Sequence, residues 1–186
     1  VAGGNFAVIK DHWKNMEVNY YVEPKDSADA LLNFGNTPEM IGFFSEIFGY
    51  KYPWDKYHQV VVKDFVAGAM ENTSAVIHAN YVFRNKQQLI DMNFESIVAH
   101  ELVHHWFGDL ITCESWANLT LNEGFATYGQ FLWADFKYGK TEGERELSKA
   151  KSKYLQDTPY KEIIRYHHDD SRELFDGHSY SKGALV

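Results

Sequence analysis

The segment ESIVAHELVHHWF, residues 95–107, contains the pattern that decides the fold. Its apolar residues recur at helical spacing and stop before Gly108, which predicts a helix over 95–107. Within this helix His100 and His104 are four positions apart, so their side chains lie above one another on one face. Both imidazoles can therefore reach one metal ion.

A third metal ligand is available on the next predicted helix. A catalytic zinc site uses three protein ligands, from imidazole and carboxylate groups, and leaves a fourth position to water. A helix is predicted over residues 122–137, and Glu123 near its start follows His104 after 18 intervening residues. His100, His104 and Glu123 are therefore the candidate ligands of one zinc ion per chain.

Glu101 lies between the two histidines but has a different role. Its side chain points about 100° away from that of His100 around the helix, so it does not share the metal. It can instead reach the water that zinc activates, whose pKa falls toward about 7. A carboxylate there takes the proton during attack and passes it to the leaving amine. Glu101 is the candidate general base for peptide-bond hydrolysis.

Composition sets outer limits on the class of protein. With 186 residues and 45% hydrophobic content, we expect one globular unit. A net charge of −8 without a cluster of Lys and Arg excludes a nucleic-acid surface. The single cysteine, Cys113, excludes an internal disulfide and a multi-cysteine zinc site. The sequence lacks an apolar run of about 18 residues, so no membrane span is expected.

The two ends of the sequence suggest a piece of a longer polypeptide. The chain starts without Met, and residues 1–6 do not have the pattern of a signal peptide. It ends in SKGALV, residues 181–186, an apolar run without a helix stop signal. We therefore expect a truncated chain whose compartment is unknown.

Strand patterns precede the zinc helix. Short alternating runs at 3–10 and 16–24, and β-branched runs at 57–66 and 75–83, predict strands. Between them, Thr37 and Pro38 fit the start of a helix that ends near Gly49. Strands followed by helices predict an α+β fold.

Three separated motifs resemble one known family. HELVHHWFG at 100–108, followed by WANLTLNEGFA at 116–126, resembles the aminopeptidase N family of gluzincin zinc metallopeptidases and has its 18-residue spacing. GAMEN at 68–72 resembles the exopeptidase motif of that family, and HSYSKGA at 178–184 resembles its catalytic-tyrosine segment. The resemblance covers residues 18–186, with a loose match at 138–170.

The resemblance implies a domain organisation. Residues 23–186 would form a thermolysin-like catalytic region, with an N-terminal mixed sheet followed by the zinc-site helices, truncated at its C-terminus. Residues 1–22 would be the tail of a preceding β-rich domain. A second acidic group that holds the substrate amino end in this family lies on that domain. Flanking domains of the same polypeptide are therefore expected to be missing.

The resemblance also implies how a peptide substrate is held. Glu71 would accept the free α-ammonium of the substrate, which makes the enzyme an exopeptidase. The small residues Gly68 and Ala69 would let the substrate backbone pair with this segment as an added strand. The candidate substrate-binding residues are Gly68, Ala69, Met70, Glu71 and Asn72.

The same resemblance gives Tyr180 the role of hydroxyl donor to the oxyanion that forms at the attacked carbonyl. Each implied role has an alternative: Tyr180 as a packing residue, and Glu71 as a solvated loop carboxylate. Either Asn122 or Asp109 would support the metal ligands by a hydrogen bond. We interpret the remaining histidines, including His105, as packing or surface residues, and Cys113 as structural.

These patterns favour a zinc aminopeptidase acting on peptides with a free N-terminus. One alternative is the bifunctional branch of the family, which also hydrolyses a lipid epoxide. The other is a catalytically silent zinc-binding scaffold, against which the presence of both Glu101 and Tyr180 argues.

Overall fold

The structure, a computed structural model, describes residues 2–157 and 161–186. The chain divides into two compact units, Val1–His105 and Trp106–Val186, whereas its composition predicted one. The reason lies in how contacts are distributed along the chain. The strands pack with three of the helices in the first unit, and the last two helices pack with the C-terminal turns.

The first unit is built on a five-stranded mixed sheet with the order β1-β2-β3-β5-β4. The antiparallel hairpin of β1 and β2 adds to the parallel strands β3 and β5, and β4 pairs antiparallel with β5 at the edge. This mixed sheet with its helices confirms the predicted α+β class. The strands are β1 Ala7–Trp13, β2 Met16–Val22, β3 Lys56–Val62, β4 Ala69–Met70 and β5 Ala75–Ala79.

A two-residue turn sets the register of the first hairpin. Trp13 pairs with Met16, and Lys14 between them has a φ of 55°, as tight hairpin turns require. The second strand of this hairpin then pairs with β3 in the same sheet. The domain boundary after residue 22 stays a prediction.

Four helices belong to the first unit, and the second starts at Thr37 with Pro38 in its first turn, as predicted. Apolar side chains between the helices and the sheet form the core. The helices are α1 Ala30–Phe34, α2 Thr37–Ile47, α3 Gln88–Asp91 and α4 Glu95–Val103. The largest core side chains are Tyr20, Phe34, Met40, Ile41, Phe44 and Tyr57, each at most 1% exposed.

Three predicted elements end earlier than their patterns suggested. The strand predicted over 57–66 ends at Val62, because Asp64 turns the chain with a φ of 54°. The strand predicted over 75–83 ends at Ala79, where a 3-10 turn begins. The helix predicted over 95–107 ends at Val103, and a turn follows in which the His105 N–H bonds back to the Leu102 carbonyl.

The second unit centres on a helical hairpin of α5 Thr120–Tyr138 and α6 Lys140–Gln156. The sequence predicted the first of these to within two residues and did not predict the second. Gly139, with a φ of 90°, joins them, and Gly143 brings α6 close enough that a Cβ there would lie 2.8 Å from the Cβ of Asp135. The two helices therefore pack with little space between their backbones.

The end of the chain packs on this hairpin. A 3-10 turn at Ser171–Leu174 leads to a single π-helical turn, His178–Lys182, and a final 3-10 turn, Gly183–Leu185. Within 2–157 and 161–186, none of the helices combines the length and the apolar character that crossing a bilayer requires.

A chain of buried polar side chains crosses the core of the first unit. Gln59 Nε2 donates to Thr37 Oγ1 at 2.9 Å, and that hydroxyl donates to the Phe34 carbonyl at 2.6 Å. Gln59 Oε1 lies 2.9 Å from His78 Nε2. Because this oxygen only accepts, His78 donates through Nε2. Burial lowers the pKa of His78 to about 3, so the ring is neutral.

The free energy of unfolding should depend on pH through His78. Between the folded pKa of about 3 and the ordinary value of 6.5, only the unfolded chain binds the proton. Stability should therefore fall as pH falls through this window, by about 1.4 kcal/mol for each pH unit. His78→Gln should remove that part of the slope in urea unfolding with a chelator present, between about pH 7 and pH 5. His12→Gln, at an exposed position, is the control, and an unchanged slope in His78→Gln would contradict the assignment.

Candidate functional site

Helix α4, which carries the candidate ligand His100, is buried on all sides from Val98 to its end at Val103. Every residue from Val98 to Val103 is buried, so this helix lacks the solvent-facing polar stripe of an amphipathic helix. His100 and Glu101, only 8% and 6% exposed, lie on it. Burying polar groups costs free energy unless they are bonded or bind an ion. Their burial therefore indicates a site.

The two histidines of α4 face one another. Their Nε2 atoms are 3.1 Å apart, their rings are nearly perpendicular at 85°, and His104 is 1% exposed. The spacing of four predicted this shared face, and within the first unit the structure brings the two rings together. Convergent, buried imidazole nitrogens are a donor pair that zinc prefers, so the pair fits a zinc ion.

Glu123 belongs to the second unit, in the first turn of α5. Its side chain is 5% exposed, and its backbone N–H bonds to the Leu119 carbonyl. The neighbouring Asn122 accepts the backbone N–H of Cys113 through Oδ1 at 3.1 Å. Asn122 therefore holds the loop that leads into the helix. Burial raises the pKa of the Cys113 thiol, and the charge of Glu123 adds to the rise.

The GAMEN segment lies at the edge of the sheet. Ala69 and Met70 form β4, and the Gly68 carbonyl accepts the N–H of Ala79 at 2.9 Å, which extends the pairing with β5 by one residue. A Cβ on Gly68 would approach the Tyr81 hydroxyl to 3.0 Å. The segment thus has the edge position that pairing with an added peptide strand requires.

Glu71 follows β4 and leads into a tight turn. The Asn72 carbonyl accepts the N–H of Ala75 at 2.8 Å, and Ser74 within this turn has a φ of 63°. Glu71 is half-buried, and it has neither a hydrogen bond nor an ion pair to another described residue of 2–157 and 161–186. Its carboxylate is therefore available for a cationic group.

His105 holds this turn and was missed as a functional residue by the sequence interpretation. It is fully buried, and its Nε2 accepts the N–H of Ser74 at 2.9 Å. Burial lowers the pKa of His105 to about 3, so the ring is a neutral acceptor. His105 therefore ties the turn after Glu71 to the end of α4. Its place directly after the HELVH pattern was the only signal.

Tyr180 lies in the π-helical turn of the second unit and is partly exposed. This turn packs against the start of α5, the helix that carries Glu123. Thr120 Oγ1 donates to the Ser179 carbonyl at 3.4 Å, and the backbones of Gly124 and Gly183 come close together. The second unit therefore fixes the Tyr180 segment to the helix of the third candidate ligand.

Two further residues that the sequence interpretation missed anchor the Tyr180 turn. Arg165 donates to both carboxylate oxygens of Asp176, at 2.7 and 2.9 Å. Periodicity could not predict this pair, because ten residues separate the partners and Arg165 lies outside any regular element.

Most of the chain is similar to proteins of one known peptidase family. A family model described as the peptidase family M1 domain matches residues 32–186. Aminopeptidase N of Streptomyces lividans is 42% identical over 130 residues, and aminopeptidase M1 of Arabidopsis thaliana is 33% identical over 206 residues. These alignments cover 67% and 98% of this chain but only 15% and 22% of the two relatives.

A solved structure has the same fold. A variant of an M1 zinc metallopeptidase from Deinococcus radiodurans superposes with a TM-score of 0.75 at 24% identity. The superposition covers 97% of this chain and 39% of that one. The chain therefore spans much less than the full length of the proteins it resembles.

The contact between Gly124 and Gly183 should tolerate no added methyl group. A Cβ at position 183 would lie 2.6 Å from Thr120 Cγ2 and 3.2 Å from Gly124 Cα. We expect Gly183→Ala to destabilise the protein by about 1–3 kcal/mol, measured as a lower Tm. Thr120→Ser in the same chain should restore part of the loss, because it removes the clashing methyl. Gly3→Ala, with nothing within 4 Å, is the control, and equal Tm values for all variants would contradict this packing.

Proposed function

The chain belongs to peptidase family M1, and on that premise we propose that it is the zinc-binding catalytic region of an aminopeptidase. Its reaction is hydrolysis of the first peptide bond of substrates with a free amino terminus. The observation that carries the proposal is the buried pair of imidazole Nε2 atoms, 3.1 Å apart, with Glu101 buried on the same helix.

His100, His104 and Glu123 are the proposed ligands of one zinc ion. Three observations support this assignment: the two histidines face one another, the Glu123 carboxylate is buried near the start of α5, and 18 residues separate His104 from Glu123. Two neutral imidazoles and one carboxylate match the preference of catalytic zinc for nitrogen and oxygen donors. When bound, zinc would polarise the carbonyl of the scissile bond and acidify water beside it.

Glu101 is the proposed general base. Its carboxylate would take a proton from the attacking water and give it to the nitrogen of the leaving amine. Burial supports this role because Glu101 is only 6% exposed, so the proton transfer would be shielded from bulk water. The acid and base steps then use one group, and no covalent enzyme intermediate is needed.

Glu71 and the edge strand β4 are the proposed binding site for the substrate amino terminus. The Glu71 carboxylate would accept the α-ammonium by a charge-assisted hydrogen bond. Gly68–Asn72 would pair with the extended substrate backbone, for which an edge position is required. Support for the exopeptidase role comes from the available carboxylate and from relatives named aminopeptidases.

Tyr180 is the proposed donor to the carbonyl oxygen as negative charge develops on it. A hydroxyl aimed at that oxygen stabilises the transition state more than the bound substrate. The anchored turn supports this role, because a donor contributes most when it is held in place before the reaction. We further propose that this catalytic region is part of a longer polypeptide with flanking domains, because the chain covers only 15% and 22% of two relatives.

Glu101→Gln in the zinc-loaded enzyme should keep the metal and lose turnover. The amide keeps the shape of the side chain but cannot take a proton, so kcat should fall by at least about a hundred-fold. Metal analysis should find about one zinc per chain in wild type and in this variant, and much less in His104→Ala. Glu95→Gln, on the same helix, should retain both metal and activity. If Glu101→Gln keeps most of its kcat, or if wild type purified without chelator holds no zinc, the proposal is wrong.

Glu71→Ala should change substrate preference without removing zinc. A lost charge-assisted contact to the ammonium corresponds to about 1.5–3 kcal/mol, so kcat/KM for a free amino terminus should fall by about ten- to a hundred-fold. The same peptide with an acetylated amino terminus is a poor substrate for wild type and should change little. Equal losses on the free and acetylated peptides would count against the exopeptidase role.

A further inference from the structure

An ion-pair centre lies directly before the Tyr180 turn. The guanidinium of Arg165 contacts Asp176 through both of its terminal nitrogens, and Lys161 Nζ lies 2.9 Å from the Asp176 Oδ2 atom. The two principal partners are nearly buried, with 12% and 15% of their side chains exposed. A bidentate pair of this kind fixes the plane of the carboxylate.

The Asp176 carboxylate also holds the backbone of the following turn. Its Oδ1 accepts the N–H groups of His178 and Ser179, at 3.0 and 3.2 Å, and its carbonyl accepts the N–H of Tyr180 at 3.2 Å. Partial burial alone would raise the pKa of Asp176, but the hydrogen bonds from Arg165 and Lys161 outweigh it and hold the pKa well below its usual range. The carboxylate is therefore charged while it holds these amides.

Arg165 makes further hydrogen bonds through its side chain and through its backbone. One terminal nitrogen also donates to Ser179 Oγ at 2.9 Å and to the Leu174 carbonyl at 3.1 Å. Its backbone N–H bonds to the carbonyl of Ala117, in the 3-10 turn shortly before α5. Through its backbone, Arg165 is thus bonded to the entry to α5, and through its side chain it is bonded to both ends of the loop that precedes Tyr180.

The acidic groups here do not form a second cation site. Ligand atoms of Asp157, Asp176 and His178 lie within 4.8 Å of one another, a grouping that could in principle hold a metal. However, Asp176 Oδ2 already accepts from two cationic side chains, and a metal ion at that oxygen would be repelled by both. The cluster is therefore a structural centre built around Arg165.

Within this turn, the side chain of Tyr180 is more exposed than those of its neighbours. Its neighbours His178, Ser179 and Ser181 are at most 3% exposed, whereas Tyr180 is partly exposed. The turn is π-helical, with the Lys182 N–H bonded to the Gly177 carbonyl at 2.8 Å, five residues back. Such turns are uncommon and occur often at functional sites. The backbone is therefore held on both sides of Tyr180, whose side chain is partly exposed.

We propose that the Arg165–Asp176 pair is a positioning device for the Tyr180 hydroxyl, fixing the turn so that the donor is held in place before the reaction begins. This inference rests on the proposed role of Tyr180 as oxyanion donor. Neither partner touches the reacting atoms in this scheme. Both act through the backbone between 176 and 182, and their loss affects the rate only while the Tyr180 hydroxyl is present.

A double-mutant cycle in the full-length, zinc-loaded enzyme tests the proposal with an aminoacyl p-nitroanilide substrate. Arg165→Lys keeps a positive charge but cannot contact Asp176, Leu174 and Ser179 together. We expect it to lower kcat by about ten-fold with KM changed by less than about two-fold. Tyr180→Phe should lower kcat by about a hundred-fold. In the Tyr180→Phe background the same Arg165→Lys change should lower kcat by less than about two-fold.

Two further variants separate positioning from folding. Ser179→Ala removes one acceptor of Arg165 and should give a smaller loss of kcat, again only when the Tyr180 hydroxyl is present. Arg172→Lys changes an exposed arginine, 87% of whose side chain is accessible and which pairs with Asp170, and should leave kcat unchanged. Amide hydrogen exchange of Gly177–Lys182 in the metal-free protein should accelerate in Arg165→Lys and not in Arg172→Lys.

The outcomes distinguish the inference from the proposed function. A Tyr180→Phe variant with normal kcat would overturn the oxyanion role and the inference with it. A hundred-fold loss in Tyr180→Phe, followed by a further full ten-fold loss from Arg165→Lys, would overturn the inference alone, because the two effects would then be independent. Unchanged amide exchange in Arg165→Lys would also overturn it.

Discussion

The burial of helix α4 is the constraint on which the site depends. A helix whose surface is buried from Val98 to Val103 would ordinarily carry only apolar side chains, yet His100 and Glu101 are among those residues. Polar groups in such a position cost about 1–3 kcal/mol each unless they are bonded or bind an ion. In the proposed metalloenzyme, zinc and its water offset this cost. The same burial excludes bulk water, which strengthens every electrostatic interaction in the site.

Other elements of the first unit pack against that helix. In the mixed sheet, β1 packs against α2, and the edge strand β4, which belongs to the GAMEN segment, packs against α4. His105, one residue beyond the second histidine, connects the two features through its bond to Ser74. Because burial keeps this ring neutral, it can accept the backbone N–H without introducing a charge beside the site. The histidine pair and the segment after β4 are thus parts of one hydrogen-bonded framework.

The second unit holds the segment that carries Tyr180, a side chain that is partly exposed. Glu123 is buried in the first turn of α5, and the close contact of Gly124 with Gly183 places the last turns of the chain against this helix. The ion pair of Arg165 and Asp176 then fixes the backbone before Tyr180. Charged groups far from bulk water are used here for orientation, since a bidentate pair restrains direction more than it adds net stability. An exposed pair such as Arg172 with Asp170 would not provide this restraint, because water competes with it.

The sequence by itself determined the local geometry of the candidate site. The four-residue spacing of His100 and His104 put both rings on one helix face, because that spacing is close to a helical turn. Strands β1, β2, β3 and β5, the helix that starts at Thr37 and most of α5 were likewise predictable from periodicity and turn residues, whereas the short strand β4 was not. Only the tertiary structure decided the contacts between residues far apart in the chain. Ser74 meets His105 across 31 positions, and Thr120 meets Ser179 across 59. Periodicity carries no information about such pairs, because each partner is locally ordinary and the contact depends on how whole elements pack. That is why His105, Arg165 and Asp176 read as unremarkable residues in the sequence and became parts of the site only in the fold.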